Sequence, residues 1–328
     1  MERLKVINLI EGAHLLKAVS LLYKSGLSEI LKEPKTVESL VSFSGFEHGK
    51  LESMLWYLAE RTDFIEKKGE GTYQLNEAYF SYRKSEFLIR QYAQAYSFDG
   101  DILEYSLKGV KTVSFVDEEK HALAYKKLEG AGFPFLKKLI GQMDVNCVLE
   151  FGCGAGNLLM ELAREHKGFR GYGVDANKEM YTRFTENISK YNLSGQLTAF
   201  HGNAEKPNGI INEAGLKEVE LIVAASLVNS FFSEGEGQII NWLQMMKSVF
   251  PDRRLLIADY YGRMGVDHYS NSPEILLHDW VQLISNQGIP PAEEGAWRKI
   301  YEKAGCRLLD TMEPEKSLIP FFVHLVSL

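Results

Sequence analysis

Between Glu11 and Leu31 the apolar residues Leu15, Val19, Leu22, Leu27 and Leu31 recur at helical spacing, with Gly26 interrupting the run, which predicts a helical hairpin. Thr36 ahead of Val37-Glu38-Ser39-Leu40-Val41 has the form of an N-cap, and Leu51, Met54, Leu55 and Leu58 give a second helix, ending near Arg61, an apolar face. Phe64-Ile65-Glu66 and Thr72-Tyr73-Gln74-Leu75 then flank the turn formers Lys68-Gly69-Glu70-Gly71, a hairpin signal. Two helices and a two-stranded wing predict a winged-helix-like domain over 1–95. Its second helix sets Glu47, Glu52 and Glu60 against Lys50 and Arg61, so it lacks the basic face that DNA phosphates require.

From 81 to 140 the pattern is helical and aromatic, with Tyr82, Phe87, Tyr92, Tyr96, Phe98, Tyr105, Tyr125, Phe133 and Phe135. The segment 96–140 reads as a helical connector, some of whose aromatics line the pocket of whatever follows. From Asn146 short apolar runs alternate with amphipathic helices, the pattern of a parallel sheet covered on both faces. The expected strands are Cys147–Phe151, Gly171–Val174, Leu197–His201, Val219–Ala224 and Leu255–Asp259. Arg307–Met312 and Leu318–Val326 leave no room for a crossover helix and must pair antiparallel. The expectation for 141–328 is therefore an α/β, Rossmann-like core of seven strands whose last strand is antiparallel.

Composition narrows the partners. A formal charge of −7 argues against a general phosphate-binding surface and for a small or neutral substrate, without nucleic acid. The N-terminal apolar run is broken by Glu11, His14 and Lys17, so neither a signal region nor a membrane span is expected there, and a cytoplasmic protein is. Cys147, Cys153 and Cys306 are too few and too scattered for a disulfide framework or a cysteine-rich zinc site.

The candidate chemistry lies at strand ends. Val148-Leu149-Glu150-Phe151 runs through Gly152-Cys153-Gly154-Ala155-Gly156 into a helix, bringing backbone amides to a helix N-terminus where a ligand can approach without meeting a Cβ. The dinucleotide fingerprint would need its third glycine at 157, where Asn157 stands. Asp175, 19 residues after Gly156, ends the second strand where paired ribose hydroxyls are accepted. The third strand ends at His201-Gly202-Asn203-Ala204-Glu205.

These features resemble the class I S-adenosylmethionine-dependent methyltransferases, and the resemblance extends over nearly the full length to the small-molecule O-methyltransferases with an N-terminal winged-helix dimerisation domain. It implies S-adenosyl-L-methionine as cofactor, held by Glu150, Gly152, Gly154, Gly156, Asp175, Asn203 and Ala204, and a homodimer formed through the N-terminal domain. Bacterial members commonly end strand four with Leu-His-Asp-Trp, where this chain has Val228-Asn229-Ser230-Phe231. No histidine lies in Ile284–Pro291, the stretch after strand five that matches the segment where some members keep their base. Ile275-Leu276-Leu277-His278-Asp279-Trp280, with Tyr260-Tyr261-Gly262-Arg263 before it, is similar to the branch that C-methylates 2-oxo acids through a metal held by two histidines.

That resemblance implies His278 as a ligand of a divalent or ferric transition metal or as general base, with Asp279 orienting it or substituting for it. Tyr260, Arg263 and Asn229 would meet the substrate. Asn229 is a poor replacement for a histidine ligand, and His268 or His324 would have to supply the second one. C-methylation of a 2-oxo acid through an enolate, O-methylation of a hydroxylated natural product, and cofactor binding without catalysis all stay open.

Overall fold

The computed structural model describes residues 5–76, 88–96, 100–108, 116–117, 120–121, 133–207, 210, 217–266, 273–285, 287–314 and 321–328. The chain divides into two compact units, one of residues 1–97 and 116–128 and the other of 98–115 and 129–328.

In the first unit, α1 (Val6–Lys24) and α2 (Leu27–Ile30) are separated by Gly26, whose φ of +78° is the left-handed conformation glycine adopts without penalty. Strand β1 (Lys35–Thr36) leads into α3 (Val37–Ser44), where the Thr36 hydroxyl caps the helix by accepting from the Ser39 amide. Then come α4 (His48–Arg61), β2 (Ile65–Gly69) and β3 (Thr72–Leu75). The three strands form an antiparallel sheet in the order β1-β3-β2, so the wing has one strand more than the hairpin the sequence predicts. Two residues carry no periodicity, and β1 exists only because Lys35 and Thr36 pair with Tyr73 and Thr72. Val19, Leu22, Leu27, Leu40, Leu51, Leu55 and Leu58 make the core of this unit.

By length and apolar composition alone α1 passes as a possible membrane span, a test that helices of soluble proteins also pass. Its polar residue Glu11 takes both Arg61 Nε (2.6 Å) and a terminal Arg61 nitrogen (2.8 Å) on its two oxygens, tying α1 to α4. The same unit contains a π-helical turn at Arg90–Ala95, in which Gln91 Nε2 meets His121 Nδ1 at 2.8 Å.

In the second unit, α5 (Gly100–Leu107) and α6 (Phe133–Gln142) precede β4 (Cys147–Phe151), α7 (Asn157–Glu165), β5 (Arg170–Asp175), α8 (Lys178–Lys190), β6 (Leu197–His201) and β7 (Leu221–Ala225). They are followed by a 3-10 turn (Val228–Phe232), α9 (Glu236–Val249), β8 (Arg254–Tyr260), α10 (Pro273–Ile284), α11 (Glu294–Lys303), β9 (Arg307–Met312) and β10 (Phe321–Ser327). The sheet order is β6-β5-β4-β7-β8-β10-β9, parallel as far as β8, with β10 antiparallel to both of its neighbours. The expected Rossmann-like core of seven strands with an antiparallel last strand is the observed one.

The central strands β4, β7 and β8 are apolar apart from Glu150, Arg254 and Asp259, because both faces are covered. Leu149, Phe151, Ile222, Ala224, Leu255 and Ile257 pack with Trp242, Leu243, Trp297 and Ile300. Val148, Leu221, Val223, Leu256 and Ala258 face Leu136, Leu158, Leu162 and Phe184 on the other side. The ends of β4, β7 and β8 lie side by side, and that edge carries the chemistry.

Of the aromatics noted between 81 and 140, Tyr82, Phe87, Phe98 and Tyr125 fall outside the described residues. Tyr92 and Tyr96 stack on one another, and Tyr105 is exposed.

Candidate cofactor and acceptor site

The glycine turn after β4 is left-handed at each glycine, with φ of +70° at Gly152, +54° at Gly154 and +77° at Gly156. The three glycines serve different ends. A Cβ on Gly156 would stand 2.0 Å from the Phe184 ring of α8, so this position is closed by packing. A Cβ on Gly154 would meet nothing within 4 Å, so the backbone there borders open space. A Cβ on Gly152 would come within 3.3 Å of Leu227, which places the segment after β7 directly against the turn. Gly156 caps α7, whose first amides face this loop.

Two carboxylates flank the turn. Asp175 Oδ2 accepts from the Gly154 amide and Oδ1 from the Asn177 amide, both at 2.8 Å. The cap of α8 is Asn177, not Asp175: the Asn177 side chain accepts from the Glu179 and Met180 amides. Glu150 is buried in β4, and its Oε2 has no hydrogen-bond partner among the described residues. Burial first, and then the negative charge of Asp175, pushes its carboxyl well above the usual carboxylate range. A buried carboxyl left with a free oxygen beside a glycine cradle is suited to a ligand that brings a cationic or N–H donor. At the end of β6, exposed Asn203 accepts the Glu205 amide at 2.8 Å, and the buried Ala204 carbonyl accepts from Trp242 Nε1 at 3.0 Å. Cys153 is a buried thiol behind the loop, where burial raises its pKa and leaves it inert.

At the neighbouring strand end, Ser226 takes a left-handed φ of +51°, uncommon for a residue with a Cβ, and turns the chain from β7 into the 3-10 segment. The turn delivers Asn229, buried at 6% exposure. Its backbone amide donates to Asp259 Oδ2 at 3.1 Å, and its side-chain Nδ2 donates to Gln282 Oε1 at 2.9 Å and to Gln287 Oε1 at 2.6 Å. Asp259, near the end of β8, also accepts the Tyr260 amide on Oδ1 at 2.9 Å. Burial pushes Asp259 up to about 7, against the lowering effect of these backbone donors. The Gly288 amide donates to the Asn229 carbonyl, and Gly288 passes so close to Phe232 that a Cβ would overlap its backbone at 2.1 Å.

Tyr260 carries the His278 ring edge-to-face at 4.4 Å, both residues being buried. Asp279, one residue on, accepts the Arg263 and Met264 amides on Oδ2, each at 2.6 Å, and so fixes the loop after β8. Its Oδ1 is buried without a partner among the described residues, and burial raises its pKa. The Arg263 guanidinium lies 5.6 Å from the Tyr261 ring centroid. The structure thus gathers Asn229, Tyr260 and His278 around Asp259 and Gln282, which the sequence reading left without a role. The one signal for Asp259 was a charged residue ending the apolar run Leu255-Leu256-Ile257-Ala258; Gln282 and Gln287 gave none.

The residues fit a two-histidine metal centre poorly. His324 meets the Tyr261 hydroxyl on Nε2 at 3.1 Å and the Tyr301 hydroxyl on Nδ1 at 2.9 Å, so both ring nitrogens are engaged in the core, and burial lowers its pKa to about 3. His268 lies outside the described residues. Asn229 offers a neutral amide committed to two glutamines, and among the described residues no three histidine, cysteine or carboxylate side chains converge.

Comparison with known proteins agrees with this geometry. Residues 148–243 match the family model described as a methyltransferase domain. The chain is similar in fold to the mitomycin 7-O-methyltransferase MmcR, with 16% identity over 98% of this chain and 96% of that one and a TM-score of 0.68. It is similar to a structure from Nostoc punctiforme PCC 73102 described as an O-methyltransferase by assignment, with 13% identity, coverage of 98% and 97% and a TM-score of 0.71. It is also similar to CalO1, a methyltransferase in calicheamicin biosynthesis solved with SAH bound, with 20% identity, 99% of each chain covered and a TM-score of 0.60. Residues 148–243 thus match a methyltransferase domain, and over nearly its whole length the chain shares the fold of these structures.

Proposed function

We propose that this protein transfers a methyl group from S-adenosyl-L-methionine to a hydroxyl of a small molecule. The observation that carries the cofactor assignment is the pairing of the open backbone at Gly154 with the unpartnered buried oxygen of Glu150. In this reading Glu150 receives the cofactor's ammonium group and the amides at the start of α7 receive its carboxylate. Asp175 accepts ribose hydroxyls on the lone pairs that the Gly154 and Asn177 amides leave, and Asn203 and Ala204 border the adenine. Bound there, the cofactor supplies a methyl group already activated as a sulfonium.

The acceptor needs positioning and deprotonation. Asn229, Tyr260 and Arg263 hold it, and His278, packed on Tyr260, takes its hydroxyl proton as the oxygen lone pair forms the new bond to carbon and the carbon–sulfur bond breaks. Asp279 positions the Arg263 loop. O-methylation is favoured over metal-assisted C-methylation of a 2-oxo acid because Asn229 and His324 are committed to hydrogen bonds a ligand pair would have to give up. The O-methyltransferase activity of the structurally similar MmcR points the same way. The three cysteines, all free and buried thiols, suit a cytoplasmic enzyme.

Transfer of a labelled methyl group to hydroxylated aromatics, with calorimetric binding of S-adenosylmethionine alongside, tests the reading. His278→Ala is expected to lower kcat at least a hundredfold with cofactor affinity unchanged; equal turnover in the variant would remove His278 from the mechanism.

A further inference from the structure

Asn229 is held at three points, by Asp259 at its backbone and by Gln282 and Gln287 at its side chain. Both hydrogens of its Nδ2 are spent on the two glutamine oxygens, so the orientation of the amide is fixed. The remaining atom, Oδ1, accepts none of the hydrogen bonds formed among the described residues. It stands at the end of β7, two residues beyond Leu227, which lies against Gly152 of the cofactor turn. Gln282 is one helical turn beyond His278 on α10, so the clamp and the proposed base share a face.

We propose that Gln282 and Gln287 are positioning residues that turn Asn229 Oδ1 into a fixed, neutral acceptor, and that this atom selects methyl acceptors presenting an O–H donor. The inference rests on the methyl-transfer reading above and sharpens its substrate class. An amide oxygen can only accept, so a hydroxyl satisfies it, whereas a carboxylate or ketone oxygen placed there would meet lone pair with lone pair. Hydroxylated aromatics are admitted on this basis and 2-oxo acids are not. Asn229 Oδ1 stays a neutral acceptor and takes no proton; proton removal at the reacting oxygen is left to His278.

The test uses labelled S-adenosylmethionine with phenols, catechols and hydroxyquinones on one side and phenylpyruvate and other 2-oxo acids on the other. The expected result is transfer to hydroxylated aromatics alone. Asn229→Leu should then raise the acceptor KM at least tenfold while the Kd for S-adenosylmethionine stays within twofold. Gln287→Leu, at a half-buried site that disturbs the core less, should raise KM several-fold, and Gln287→Glu, which retains the accepting oxygen, should stay near wild type. Transfer to a 2-oxo acid, no transfer to any hydroxylated aromatic by protein that binds S-adenosylmethionine, or an unchanged KM in Asn229→Leu would overturn the inference. Failure of the wild-type protein to bind S-adenosylmethionine would instead bring down the methyl-transfer reading on which it rests.

Discussion

Gly154 and Gly156 share a left-handed backbone but differ in what surrounds them, which separates stability from binding residue by residue. Alanine at 156 combines backbone strain with a Cβ driven into Phe184, and we expect a loss of about 3 kcal/mol in urea denaturation. Alanine at 154 carries the strain alone, about 1 kcal/mol, but puts a methyl group into the space a ligand would use. Gly154→Ala should therefore melt near wild type while its S-adenosylmethionine Kd, read by calorimetry, rises at least tenfold. Comparable losses of stability in the two variants would remove the distinction. The glycine spacing was readable in the sequence, but which glycine faces packing and which faces open space was not, because Phe184 lies 28 positions after Gly156 and reaches it only through the fold.

Among the elements, α1 has the least satisfied surface. Val19, Leu22 and Tyr23 are buried in its own unit, while Val6, Ile7, Leu9 and Ile10 stay 52–71% exposed. Four large apolar side chains in the first turn and a half of one helix are a natural contact for another copy of the chain, and we propose that α1 contributes to a homodimer. Sedimentation is expected to show a dimer for the wild type and a monomer for Ile7→Glu/Ile10→Glu, with the far-ultraviolet circular dichroism unchanged. A wild-type monomer at micromolar concentration would dispose of the proposal. The alternation of short strands and helices announced every core strand to within a few residues; β1 was missed because its two residues acquire a partner only when β3 is in place.

For the molecule as a whole, two buried groups set opposite pH dependences. Asp259, pushed up to about 7 from an unfolded value near 3.8, makes the fold bind more protons than the unfolded chain, so the stability linked to it is full below about 4 and is lost as pH rises towards 7. His324, lowered to about 3 from 6.5, is bound neutral, so its contribution is present above 6.5 and is lost as pH falls towards 3. The two shifts are worth up to about 4 and about 5 kcal/mol respectively. Denaturation midpoints measured from pH 4 to 8 should decline less with rising pH in Asp259→Asn than in the wild type. An identical slope in both proteins would mean that Asp259 keeps an ordinary carboxylate pKa.

What the sequence by itself determined was local or periodic: the seven-stranded core, the winged-helix-like unit, the glycine turn and the acids Glu150 and Asp175 at their strand ends. These are legible because burial on two faces forces continuous apolar runs, and a tight ligand turn forces glycine at fixed intervals. Only the tertiary structure decided how the acceptor end is wired. The sequence pattern around His278 resembles one half of a metal site, but in the fold Asn229 is tied to two glutamines and His324 to two tyrosines. Hydrogen bonds between residues 23 to 63 positions apart leave no spacing to read, since the chain must first pack strand against strand before such groups can meet.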